Sequence, residues 1–188
     1  MAQIKTLIIN KPIINFLTPF IILLGVSVFA PFFHFQPISG PLVNACLFIG
    51  ATLLDVQAGI MLGLLPSLIA LSVGTLPAPL APMIPFIMVS NALLVLTFSW
   101  VQNNIKHISF GFKFAIGVLT ASVLKYLFLF SSSYIVIHLI AQKPIAQKAA
   151  QMMSWPQLIT AVCGGVLAYG VLKICAKKLL FATQKNVH

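Results

Sequence analysis

Between Gly59 and Asn91 the chain reads GIMLGLLPSLIALSVGTLPAPLAPMIPFIMVSN, without one charged side chain. No water-exposed loop has such a composition. Yet Pro66, Pro77, Pro79, Pro82 and Pro85 punctuate the run, and proline removes a backbone donor and crowds the preceding turn. The pattern predicts two membrane helices, over about 58–74 and 84–101, joined by the stiff hairpin TLPAPLAP from Thr75 to Pro82. Open backbone of this kind cannot lie in lipid, where each unpaired carbonyl costs several kcal/mol. The hairpin is therefore expected at a membrane face, as a rim or lid, with Asn91 about two turns beneath it.

The rest of the chain repeats this character. Of 188 residues, 60% are hydrophobic and 6% charged, with a mean hydropathy of +1.08; a soluble domain carries about 25% charged residues. An all-α integral membrane bundle follows, as a single domain over residues 1–188. The helices are expected at about 13–33, 41–55, 58–74, 84–101, 110–140 and 156–176. The helix at 41–55 is too short to span alone, so it must be sheltered by neighbours or extended through its flanks. The one at 110–140 is longer than a straight span needs. It either tilts or breaks near Ser131, and a helix to about residue 130 with bent serines is the expected form.

The charge of +10 comes from eleven lysines against one acid, Asp55. The lysines sit mostly at the ends of apolar runs, where membrane topology places them, and not in the one-sided cluster that grips nucleic acid. Lys5, Lys11, Lys106, Lys113, Lys173, Lys177, Lys178 and Lys185 fall on one side of six spans, and Lys143 and Lys148 on the other. The positive-inside rule then puts both termini in the cytoplasm of a multi-pass cell-membrane protein.

Chemistry is constrained by what is missing. Cys46, Cys163 and Cys175 have no CxxC spacing and cannot supply a four-ligand site. One carboxylate side chain cannot serve a paired-acid mechanism, and a triad lacks a convincing orienting acid. The chain is expected to be no enzyme and to need no cofactor or metal.

Polar groups inside spans are costly and are functional candidates for that reason. Asn44, Asn91, Ser132, Tyr134, His138 and Gln157 all fall in the outer half of the predicted bilayer, with Lys125 near its middle. Together they could line a pocket opening outward under the hairpin. Asp55 is placed too near the inner surface to pair with Lys125, which could snorkel or bind an anionic group such as a carboxylate. Gly59 and Gly63 form a GxxxG pair, and Gly164 and Ala168 share a small-residue face. Such residues let a helix approach closely, either within the chain or as a docking surface for a partner.

This layout resembles the S component, the substrate-binding membrane subunit, of energy-coupling-factor (ECF) transporters. GLLPSLIALSVGTLPAPLAPMIPFIMVSN (63–91), LKYLFLFSSSYIVIHL (124–139) and MMSWPQLITA (152–161) are similar to an S-component-like branch of bacterial membrane proteins. The resemblance implies capture of a small, vitamin-like molecule for uptake, with energy supplied by a membrane coupling protein and two ATPases. The chain has no GxxxxGK[ST] phosphate loop of its own. It also lacks the AxxxA pattern that S components commonly carry in the first helix for docking, leaving Gly59, Gly63 and the small face of the last helix as substitutes. The alternative is a non-catalytic membrane scaffold or assembly subunit that binds other membrane proteins.

Overall fold

Apolar residues on every side of a segment give a helix that must be buried or sit in lipid, and this chain is built almost wholly of such segments. The computed structural model describes residues 2–33, 35–72, 83–139, 147 and 151–185. Six α-helices lie among them: α1 Ala2–Phe29, α2 Gln36–Leu53, α3 Val56–Ser72, α4 Ile84–Asn104, α5 Phe110–Leu139 and α6 Trp155–Lys185. A 3-10 turn at Ala30–Phe33 leads from α1 towards α2. Four helices are long and apolar enough to cross a membrane, over Ile14–Phe33, Ile84–Asn104, Phe110–Val136 and Trp155–Ala176. The TLPAPLAP hairpin lies outside the described residues.

Two helices differ from the sequence expectation for identifiable reasons. The helix expected from about residue 41 begins at Gln36, because Pro37 occupies the first turn, where a missing N–H costs nothing. Prolines thus lengthen α2 at its start instead of delaying it. The other is α5, which continues through the serines to Leu139. Ser132 Oγ donates to Phe128 O at 2.7 Å and Ser133 Oγ to Phe130 O at 2.8 Å. These hydroxyls are satisfied by their own helix, so the triplet imposes no break.

The helices pack as a ring, with α2 against α6 and α3, α4 against α3 and α5, and α5 against α6. α2 also leans on α4, while α1 lies outside against α2 and α3. Residues Asn44 to Gly50 are all buried, which makes the middle of α2 the centre of the bundle. The sheltering foreseen for a short second helix is met in this way. Asp55, exposed between α2 and α3, accepts a bond from Ala58 N and caps the start of α3.

Two apolar layers differ in the side chains that build them. Towards the Asp55 end, Phe48, Phe98 and Phe114 form edge-to-face and tilted contacts with ring centroids 4.9, 5.1 and 6.4 Å apart. Towards the opposite end, Met83, Leu129, Val136 and Met153 form a separate buried cluster with Phe86, Ile87, Phe128 and Met152 around it.

Candidate functional site

Lys125 is buried at the midpoint of α5, between these two layers. Its ammonium donates to Asn44 Oδ1 of α2 and to Asn91 Oδ1 of α4, each at 2.7 Å. An ammonium can only donate, so the amide atoms facing it must be oxygens, and the orientation of both amides follows. Their nitrogens turn away. Asn44 Nδ2 donates to Gly40 O at 2.9 Å, and Asn91 Nδ2 donates to Gly63 O at 3.0 Å.

The backbones behind both amides are held by glycines. A Cβ on Gly164 would stand 2.6 Å from Asn44 Cβ, and one on Gly63 would stand 2.9 Å from Asn91 Cβ. Only bare backbone lets α6 reach α2 and α3 reach α4 at this depth. Gly59 meets Val95 and Ala51 in the same way, and Ala168 is fully buried. All four small residues considered as docking positions are thus engaged between the chain's own helices.

The other candidates are dispersed. Ser132 is bonded to its own helix, and Tyr134 is 65% exposed on the outside of α5. The side chain of His138 lies outside the described residues. Gln157 acts away from the cage. Its Nε2 donates to Met152 O at 3.3 Å, and Gln36 Nε2 donates to the same carbonyl at 3.0 Å. Two glutamines from α2 and α6 therefore clasp the turn at Gln151–Ser154, which inserts Met153 into the bundle. The pairing of Gln36 with Met152 spans 116 residues and has no local signature. Ser122, one turn before Lys125 on the same face, is fully buried, and its Oγ has no hydrogen-bond partner among the described residues. Its i, i+3 spacing from a lysine inside a span was the available signal.

The outward pocket expected beneath the TLPAPLAP hairpin borders on residues outside the described ones. Two surface grooves of about 460 and 510 Å³ run along the α3–α4 seam, one beside Trp100 and Asn103, the other beside Leu68 and Met88. Neither is lined by Asn44, Asn91 or Lys125. Among the described residues no group of His, Cys, Asp or Glu could hold a metal ion.

With Lys125 protonated, the site is a cation held by neutral dipoles. Moving a lysine to the centre of a membrane helix costs about 2.5–3.5 kcal/mol on insertion scales. Each hydrogen bond to a charged group returns about 1.5–3 kcal/mol, so two amides can hold the ammonium without an acid. What they cannot do is cancel its charge. Such an arrangement offers an anion a desolvated, oriented partner.

Comparison with known proteins gives no match among curated proteins or among solved structures. The family model described as "ECF transporter, substrate-specific component" matches residues 15–176, from within α1 to within α6. A multi-pass helical bundle with a buried lysine at its centre, matched over that length, belongs to the family of substrate-specific components of ECF transporters.

Proposed function

We propose that this chain captures a small, vitamin-like molecule for uptake, holding it at Lys125 between Asn44 and Asn91. The observation that carries the proposal is the buried ammonium with two amide partners and no acid. A buried ammonium together with its partners seldom adds stability over apolar residues of similar volume, so packing alone does not account for Lys125, Asn44 and Asn91. The molecule arrives from the outer face, where the Met83 cluster and the Gln36–Gln157 clasp lie on the topology set by the lysines. Both termini are cytoplasmic. The aromatic layer at Phe48, Phe98 and Phe114 closes the other end, which favours capture over conduction. A membrane coupling protein with two ATPases supplies the energy, and a surface other than Gly59, Gly63, Gly164 and Ala168 meets it, because those residues are buried.

The test is ligand screening of the purified, folded chain by native mass spectrometry and thermal shift against water-soluble vitamins and their precursors. At least one compound should bind the wild type and lose most of its affinity in Lys125→Met. A folded wild type that binds none of them would count against capture and favour a scaffold role.

A further inference from the structure

We infer that the Lys125 site takes a small monoanion with an uncharged apolar body, which displaces Met153, and that it rejects zwitterions and cations. This inference rests on the capture reading above and names its substrate class. The first argument is the inventory of unspent hydrogen-bonding groups. Lys125 has three donors and uses two on the amide oxygens. Each asparagine NH2 has two and spends one on a backbone carbonyl. What remains at the cage is donor-rich, as a carboxylate requires.

Charge fixes the valence. With Lys125 protonated the cage carries one positive charge, and Asp55 is exposed at the end of the bundle, occupied in capping α3. A monoanion leaves the interior neutral, whereas a dianion would leave a net negative charge there. An ammonium on the ligand would find no carboxylate, and an unpaired buried charge is strongly unfavourable.

The contrast between the two layers fixes the rest. The Asp55 side of the cage is closed by edge-to-face phenylalanines, which have few alternative packings. The other side is closed by Met83, Met153 and Leu129, and methionine is unbranched and repacks readily. Met153 stands on a short turn held by two side-chain bonds to one carbonyl, Met152 O. Withdrawing that turn frees an apolar space on the Met83 and Leu129 side of the cage, edged by the Gln157 amide that meets Met153 Sδ at 4.0 Å.

The experiment uses the full chain, purified and folded, titrated with hexanoate and with hexanamide, hexylamine, norleucine and adipate as relatives of equal length. Hexanoate should bind, and each relative should bind roughly 30-fold or more weakly. Asn91→Asp places a carboxylate against Lys125; it should abolish hexanoate binding in a chain that still unfolds cooperatively. Met153→Ala should shift preference from hexanoate towards octanoate. If hexylamine or norleucine binds as tightly as hexanoate and is also lost on Lys125→Met, the site stands and the substrate class is wrong. If hexanoate binding survives both Lys125→Met and Asn91→Asp, the site itself is wrong. A folded chain that binds none of the probes overturns the inference, as does a chain-length preference that Met153→Ala leaves unchanged.

Discussion

Gly164 presents bare backbone to Asn44, so closely that a Cβ at position 164 would stand 2.6 Å from the Asn44 Cβ and 2.8 Å from Pro41 O. Position 63 stands in the same relation to Asn91. The helix contacts that set the bundle's shape and the amides that hold Lys125 are therefore one structure.

Glycines without such neighbours provide the control for this relation. Gly164→Ala and Gly63→Ala should each destabilise the chain by about 1–3 kcal/mol, because the atoms met are backbone and Cβ and cannot swing aside. At Gly25 and Gly170 an added Cβ would meet no heavy atom within 4 Å. Gly25→Ala and Gly170→Ala should be neutral or stabilise by up to about 1 kcal/mol through helix propensity. Thermal unfolding of the four variants in one detergent separates the two pairs, and Gly164→Ala should also weaken ligand binding.

The Gln36–Gln157 clasp predicts non-additivity. Either glutamine alone keeps Met152 O bonded, so Gln36→Ala or Gln157→Ala should cost about 0.5–1.5 kcal/mol. The double variant leaves the carbonyl without either partner and should lose more than the sum of the singles, by about 0.5 kcal/mol or more. Hydrogen exchange at Gln151–Ser154 should rise with it. Equal and additive effects would mean that the two bonds act independently.

How much of this was legible in the sequence can be read from individual residues. Asn44, Asn91 and Lys125 stand out because amide and ammonium groups inside apolar runs need partners, and the structure brings these three together. Their mutual pairing is a tertiary fact: 34 residues separate Lys125 from Asn91 and 81 separate it from Asn44. Ser132 is just as polar, but a serine can satisfy itself on its own helix, and this one does. Gly63 and Gly164 were visible as small residues, and which helix they admit depends on packing that spacing alone does not specify. Gln36 was hidden by Pro37, which suggested a connector where the first turn of α2 lies.

Sidedness yields a separate prediction. On the lysine topology, Lys106 faces the cytoplasm and Gln151 faces outward; both are exposed. With Cys46, Cys163 and Cys175 changed to alanine, a membrane-impermeant maleimide should label Gln151→Cys in intact cells. It should label Lys106→Cys only after permeabilisation. The reverse pattern would invert the topology and move the Met83 cluster to the inner face.

The cage itself should divide stability from function. Asn91→Leu leaves the buried ammonium with one partner and should cost about 3–5 kcal/mol, as should Asn44→Leu. Lys125→Met is different, because it removes the cation along with its desolvation penalty of about 2.5–3.5 kcal/mol. It leaves two amide oxygens bare, at about 1–3 kcal/mol each, so the net change should stay within about 3 kcal/mol. Adding Asn44→Leu and Asn91→Leu to Lys125→Met removes those bare oxygens and should restore stability to about the wild-type level. Equilibrium unfolding of the three single variants and the triple one measures this, and ligand binding should be lost in both Lys125→Met chains. A triple variant far less stable than the wild type would show that the cage is kept for folding.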